Sequence, residues 1–430
     1  MTGIGIANLS RRRFLRGSAG LTLGFVLPAA GAAAVRAGGG PPAAATFAPN
    51  AFLRIGTDNT VTVLSKHLEM GQGTYTGLAT LLAEELDADW QTVRVEGAPA
   101  DARRYNNLFW GDAQGTGGST AMANSWEQMR KAGATGRAML VSAAAREWQV
   151  AAAEIVVRES VVSHPPSRRR ATFGQLARAA AAEQVPARVF LKDPSNFRLI
   201  GKRANRLDSV DKTSGKAQFT QDVFLPGMLV AVVAHPPRFG ATVKSFDVAR
   251  ARAVKGVVDV VQIPQGVAVL AIDTWSAKKG RDLLTVVWDE SNACKLGSAE
   301  ILARYRELAR TPGQVARRTG DAEAAFARAA RVVRASYDVP YLAHAAMEPM
   351  NCVIRLSADG CEVWNGEQMQ TGDQHALARF FGLRPEQVRI HTLYAGGSFG
   401  RRASKDSDYV LEAAAIVRAI DGRAPVKLVW

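Results

Sequence analysis

Glu69–Asp87 reads EMGQGTYTGLATLLAEELD, and the fold is decided in these nineteen residues. Gly71 and Gly73 bracket Gln72 in a tight turn, and then Leu78, Leu81, Leu82 and Leu86 recur at helical spacing. That spacing predicts an amphipathic helix over Thr76–Leu86. Upstream, Phe52–Leu64 alternates apolar and polar residues and breaks at Gly56-Thr57-Asp58-Asn59, the pattern of a hairpin. A glycine turn between a strand and a helix lets backbone approach a ligand closely, and free N–H groups at the helix N-terminus suit an anion. The Gln72 amide both donates and accepts, which suits the edge of a heterocycle.

Two further glycine turns lie downstream. Gly115-Thr116-Gly117-Gly118-Ser119-Thr120 offers hydroxyls just before a helix expected from about Asn124 to Trp148. Gly396-Gly397-Ser398-Phe399-Gly400-Arg401-Arg402 closes a strand expected over Val388–Tyr394. Each alone is an ordinary turn. Three together, two of them opening helices, imply a large phosphate-bearing cofactor. The third also spells G-x-S-x-G around Ser398, the nucleophile elbow of α/β-hydrolases. That chemistry needs a helix directly after the serine, then an acid and a histidine. Here polar Arg401–Ser407 intervenes and no histidine follows His391, which argues against a Ser398 hydrolase.

Further out, Ile155–Val162 reads as one strand, and Thr172-Phe173-Gly174-Gln175 has capping-box spacing ahead of a short helix. Runs at Met228–Ala234, Val257–Ile263 and Val267–Ile272 are β-rich and separated by Pro/Gly turns. Ser298–Arg331 is mostly helical and charged, with a break at Pro312-Gly313. Strands are expected again at Val332–Val339 and Val353–Leu356, with helices at Asp373–Phe381 and Asp406–Ile420. Strands and helices mix without strict alternation, so the fold class is α+β.

Composition removes several alternatives. The 430 residues are 47% hydrophobic and 22% charged, as in ordinary globular domains, so disorder and fibrous repeats are excluded. Three cysteines without a C-x-x-C exclude a disulfide framework, a zinc ribbon and an iron–sulfur cluster housed in this chain. Six histidines without H-E-x-x-H exclude a zincin. The net charge of +15 includes five arginines and no acid within residues 1–36; elsewhere the excess is spread, not focused as nucleic-acid binding requires.

Ser10-Arg11-Arg12-Arg13-Phe14-Leu15-Arg16 precedes an uncharged Ala/Gly-rich stretch, Gly17–Val35, and Ala32-Ala33-Ala34 offers a cleavage site. The arginine pair followed by Phe-Leu is similar to a twin-arginine export signal, which carries folded, cofactor-loaded proteins and implies a periplasmic location. Gly38–Pro49 reads as a linker.

The turns and their flanking residues carry a resemblance. EMGQGTYTGLATLLAEELD (Glu69–Asp87), GGSTAMANSWEQMRKAGA (Gly117–Ala134), LAHAAMEPMN (Leu342–Asn351), Gln368 and GGSFGRR (Gly396–Arg402) resemble the molybdopterin-binding large subunit of the isoquinoline 1-oxidoreductase branch of the xanthine oxidase family, the molybdenum hydroxylases. GKAQFTQDVFLPG (Gly215–Gly227) resembles that family's hammerhead domain. The resemblance covers about 47–430. It implies four units: a signal and linker (1–46), a permuted N-terminal molybdopterin-binding segment (47–205), a hammerhead-like domain (206–297) and a second molybdopterin-binding segment (298–430).

By the same resemblance, the cofactor is molybdopterin cytosine dinucleotide with molybdenum held by the pterin dithiolene, so no protein ligand to the metal is expected. Gln368 and the N–H groups of Phe399 and Gly400 would face the metal's apical oxygen. Gln72 would touch the pterin, and Gly71, Gly73, Ser119 and Thr120 would line pterin and phosphate. Gly396, Gly397 and Arg401 belong to the same turn, with Arg401 and Arg402 candidates for phosphate. Glu348 in HAAMEP is tempting as an acid, but reads better as structural support.

The implied reaction is hydroxylation of an N-heteroaromatic ring, or oxidation of an aldehyde, with water supplying the oxygen. Its two electrons would pass to [2Fe-2S] clusters on a separate small subunit and on to an acceptor such as a cytochrome c. A cofactor-binding fragment without turnover is the alternative. Two departures stand out. Arg402-Ala403-Ser404 replaces the glutamate that orients purines in xanthine oxidases. The family's catalytic glutamate has no counterpart before Trp430, so the chain is expected to be a fragment or one piece of a split subunit.

Overall fold

The computed structural model describes residues 21–23 and 52–430. The twin-arginine stretch, the cleavage site and the Gly38–Pro49 linker lie outside the described residues. Leu21–Leu23 forms a strand that pairs antiparallel with Leu53–Ile55.

The glycine turn of Glu69–Asp87 is the first half of a crossover. Val61–Ser65 leads into the turn, the helix Thr74–Leu86 follows, and Val93–Gly97 returns parallel to Val61–Ser65. A parallel pair needs such a connection, because a short hairpin cannot reverse the chain twice. With Leu21–Leu23 and Leu53–Ile55 these strands make a four-stranded sheet. Its helix packs on the long helix Ala121–Trp148, and Gly133 sets the approach. A Cβ there would fall 2.2 Å from the Leu82 carbonyl oxygen, so only glycine fits. Leu53, Val63, Leu78, Leu82, Met129 and Phe173 bury together in this first core.

A second core lies on a seven-stranded sheet ordered Val257–Ile263, Gly266–Ala271, Leu229–Ala234, Val426–Val429, Asn351–Ser357, Gly360–Asn365, Val388–Thr392. Strands from both the 206–297 and the 298–430 stretches enter it. Val426–Val429 is central, parallel to Leu229–Ala234 and antiparallel to Asn351–Ser357. The helices Gln370–Phe381 and Asp408–Ala419 pack against it through Leu377, Val410 and Ile416. The expected hairpin at Phe52–Leu64 and the strand Val257–Ile263 are present, and the Thr172–Gln175 capping box makes both of its bonds.

Two expectations are corrected. Ile155–Val162 is two strands, Val156–Arg158 and Val161–His164, folded back on each other at Glu159 and Ser160. Both turn residues have positive φ (49° and 60°), so the turn carries no glycine to mark it. Val332–Val339 alternates as a strand should but has no ladder partner among the described residues, and its Val333, Tyr337 and Val339 are exposed. Alternation specifies a face; a strand also needs a neighbour to take its N–H and C=O groups.

Candidate functional site

The three glycine turns, far apart in sequence, meet. Leu68 N donates to Thr116 Oγ1 (2.9 Å), joining the first turn to the second. Thr116 N donates to the Gln368 carbonyl (2.9 Å), while Gln368 Nε2 donates to the Thr116 carbonyl (2.7 Å). Ser398 Oγ then donates to Gln368 Oε1 (2.7 Å), bringing in the third turn, and Ala395 N closes the ring by donating to the Glu69 carbonyl (3.1 Å). Gln368 is buried at the centre of this ring.

The first turn is organised by Glu69, which is fully buried. Its Oε1 accepts from Gly71 N (2.8 Å) and Gly73 N (3.2 Å), and Oε2 accepts from Tyr75 N (3.1 Å). Arg206 and Lys212 pair with the same carboxylate at 3.0 and 3.3 Å. This corrects the expectation that the N-terminus of Thr74–Leu86 waits for a ligand anion: a carboxylate of the chain already occupies part of it. Gln72 is also engaged locally. Its Oε1 accepts from Met70 N (2.8 Å) and its Nε2 donates to the Leu68 carbonyl (2.7 Å).

Behind the turn sit Lys66 and His67, both buried. A carbonyl only accepts, so His67 Nδ1 carries its proton and donates to the Gly115 carbonyl (3.1 Å), while Nε2 accepts from Asn124 Nδ2 (2.9 Å). Burial, with the Lys66 charge beside it, pulls His67 down to about 4. Burial alone brings Lys66 down to about 7; its Nζ donates to the Asn106 carbonyl (3.0 Å) and Gln128 Oε1 (2.6 Å), both neutral.

In the second turn, Thr120 Oγ1 donates to the Gly117 carbonyl (2.8 Å) and accepts from Asn107 Nδ2 (2.7 Å), so its hydroxyl serves the loop. Ser119 is exposed, with φ +55°. The helix that follows, Ala121–Trp148, has no side-chain cap and no acid in its first turn, so no side chain there neutralises its N-terminal N–H groups.

The third turn rests on Glu348. Its Oε2 accepts from Gly396 N (2.8 Å) and Arg402 Nη2 (3.1 Å), and its Oε1 accepts from Asn351 Nδ2 (3.0 Å). A Cβ at Gly396 would lie 2.5 Å from that of Glu348, so the glycine admits the acid. Arg402 is wholly buried, and its Nε donates to the Gly397 carbonyl (3.2 Å). Both are structural. Arg401 pairs with Asp408 through two bonds (2.5 and 3.2 Å) and lies over the Trp430 ring. Ser398 is buried between Gln368 and Arg402 N, with no imidazole on its hydroxyl, which disposes of the hydrolase alternative.

Residues 17–242 and 308–430 match the family models described as molybdopterin cofactor-binding domain. The chain belongs to the molybdopterin cofactor-binding domain family. It is 34% identical to the beta subunit of isoquinoline 1-oxidoreductase from Brevundimonas diminuta, over 98% of this chain and 59% of that protein. It is 31% identical to the membrane-bound aldehyde dehydrogenase [pyrroloquinoline-quinone] of Gluconacetobacter polyoxogenes, over 98% of this chain and 56% of that protein. A nicotinate dehydrogenase subunit of Pseudomonas putida is 27% identical over 86% of this chain and 31% of its own length. The chain thus spans less than three-fifths of the first two relatives.

The molybdopterin-binding family supplies a test of fit. Gly71 (φ +112°) and Gly400 (φ +85°) have open space where a Cβ would stand, as a cradle for a close ligand requires. Phe399 and Gly400 N–H groups donate to nothing among the described residues, and Phe399 as a whole is 78% exposed. Open glycine faces, free N–H groups and the bare helix end at Ala121 fit a bulky anionic pterin. Glu69 and His67 escaped sequence reasoning as site residues, Thr116 was read only among the hydroxyls of the second turn, and Ser398 only as a rejected nucleophile. The acid directly before a glycine turn was a usable signal for Glu69; nothing local marks the bond of Thr116 to Gln368, which lies 252 residues away.

Proposed function

We propose that this chain is the molybdopterin-binding part of an oxidoreductase that hydroxylates N-heteroaromatic compounds or oxidises aldehydes with water as oxygen source. The observation that carries this reading is the ring of three turns around Gln368, with open backbone N–H groups at Phe399 and Gly400. In the cytosine dinucleotide form proposed for it, the bound cofactor supplies the two-electron oxidation. The residues of this chain bind and orient it. Gly71 and Gly400 leave room for it, and Ser119 with the Ala121 helix end faces its anionic groups. Gln368 holds the second and third turns in register. Gln72 and Arg401 would join only by leaving their present partners.

Electrons pass to [2Fe-2S] clusters on a separate small subunit, with a cytochrome c as acceptor beyond it. On this reading the twin-arginine signal directs the enzyme to the periplasm. The 206–297 stretch serves as the hammerhead-like unit between two molybdopterin-binding segments. The test is the source of oxygen: the enzyme complex is incubated with quinoline-type heterocycles and aromatic aldehydes in heavy-oxygen-labelled water. Label in the product supports the reading. Product without label, or no oxidation of either class by cofactor-loaded enzyme, overturns it.

A further inference from the structure

The loop before the second glycine turn carries an indole that the proposed function leaves without a task. Asn107 N donates to the Ala113 carbonyl (2.8 Å), Trp110 N to the Asn107 carbonyl (2.7 Å) and Asn106 Nδ2 to the Gly111 carbonyl (2.7 Å), so residues 106–113 close on themselves. Leu108 N donates to Asn124 Oδ1 (3.3 Å) and Asn107 Nδ2 to Thr120 Oγ1 (2.7 Å), which ties the loop to the start of the helix Ala121–Trp148. Three apolar side chains follow one another in it. Leu108 and Phe109 are 49% and 61% exposed, and Trp110 is half-buried.

Trp110 lies on the second glycine turn. A Cβ at Gly115 would fall 2.7 Å from Trp110 Cζ3, and one at Gly117 would fall 3.0 Å from Cη2 and 3.3 Å from Cζ2. Both glycines make room for the indole. The same Gly115 position is 3.1 Å from the Gln368 carbonyl oxygen and 3.4 Å from Met369 Sδ, so the indole sits beside the residue at the centre of the ring of turns. All of these near contacts come from the six-membered ring. The pyrrole edge therefore lies on the side away from the glycines, and its Nε1–H has no hydrogen-bond partner among the described residues. By contrast, Trp90 Nε1 donates to the Asn205 carbonyl (3.3 Å) and Trp430 Nε1 to Glu412 Oε1 (2.9 Å). Packing accounts for the six-membered ring; it does not account for a spare donor beside two exposed apolar side chains. Apolar walls with one directed polar group are what small-molecule sites are made of.

We propose that Trp110 is a specificity residue of this site: its Nε1–H donates to the ring nitrogen of a planar heteroaromatic substrate, whose apolar part Leu108 and Phe109 cover. The inference rests on the function proposed above and narrows it towards N-heteroaromatic compounds. The lone pair of a pyridine-type nitrogen lies in the ring plane and accepts such a bond, and the closed loop holds the donor in place before the substrate arrives.

The test is calorimetric titration of the purified full chain with quinoline and with naphthalene, the same bicycle without the nitrogen. Wild type should bind quinoline the more tightly. Trp110→Phe keeps a ring against the glycines but has no N–H, and should weaken quinoline roughly fivefold while leaving naphthalene within about twofold. Phe109→Ala, at an exposed position, should weaken both by roughly fivefold. No saturable binding of quinoline by wild type, equal losses for the two compounds in Trp110→Phe, or no loss in either variant overturns the proposal. Should Trp110→Phe fail to fold, NMR of the wild-type indole N–H protons decides. Quinoline should move one of the eight downfield and naphthalene none; no such shift refutes the donor role. Molybdenum and pterin are measured on the same samples. Their loss in Trp110→Phe would put the cofactor's own ring at the indole and overturn the substrate assignment. Wild type without either component counts against the proposed function instead, and is read separately from the quinoline series.

Discussion

Glu69 is an anion held at a helix N-terminus by three backbone N–H groups and two cations, and the shape of the MGQG turn depends on it. Glu69→Gln keeps the volume and removes the charge, leaving Arg206 and Lys212 with Asp208 as their carboxylate partner. The cations keep that partner and are partly exposed, so the loss is one of charge-assisted bonds, and Glu69→Gln should lower the chain's stability by about 1–3 kcal/mol in denaturant unfolding. A loss under about 1 kcal/mol would show that the turn holds itself. Gln368 is the corresponding residue between the second and third turns. Gln368→Ala strands the Thr116 carbonyl and the Ser398 hydroxyl in the interior, at about 2–3 kcal/mol. On the function proposed above, with Gln368 taken to face the reacting centre, the same change should cost roughly 10²–10³ in rate. Gln374→Ala, whose amide donates to Val388 O (3.0 Å) at a half-buried position, should cost far less on both measures. Equal effects would contradict the placement of Gln368.

At the scale of elements, the exit of the strand Val61–Ser65 carries two buried bases into the site. Each is held below its ordinary value, so the folded protein disfavours their protonation. Between about 7 and 10.5 the unfolded chain binds a proton at Lys66 that the folded chain does not, and stability therefore rises with pH across that window. Lys66→Met lacks this contribution, so in thermal scans wild type should gain on the variant as pH rises from about 7 to about 10. A gap that does not change with pH would mean that Lys66 stays charged. His67 works in the same direction on the acid side, and wild type should lose stability as pH falls from 6.5 to about 4.

The same element scale shows what the sequence revealed. The helix Thr74–Leu86 was legible from its leucines, and the Thr172 cap from its Gln175 partner. The break at Glu159-Ser160 was not, because neither residue advertises positive φ. The residues of the first and third turns were legible as a site through their resemblance to a family. The contacts of Thr116 and Glu348 that bind the turns together are long-range, and no local pattern encodes them.

Over the whole molecule, two sheets and their helices bring residues 69–73, 115–120 and 396–402 to one place. No helix among the described residues is long and apolar enough to cross a membrane. Export is proposed to follow from Arg11 and Arg12, and replacing both with Lys keeps the charge but removes the planar guanidinium pair. Cell fractionation should then find the protein retained in the cytoplasm; undiminished periplasmic accumulation would refute that route. The central claim is that the ring of turns holds a molybdopterin. The most direct measurement is the molybdenum and pterin content of the purified chain, expressed in a host that makes the cofactor, for wild type and Gln368→Ala side by side. The account predicts both components together in the wild type and a marked loss of both in the variant. Wild-type protein that folds yet holds neither molybdenum nor pterin, or a variant that retains both undiminished, would contradict it.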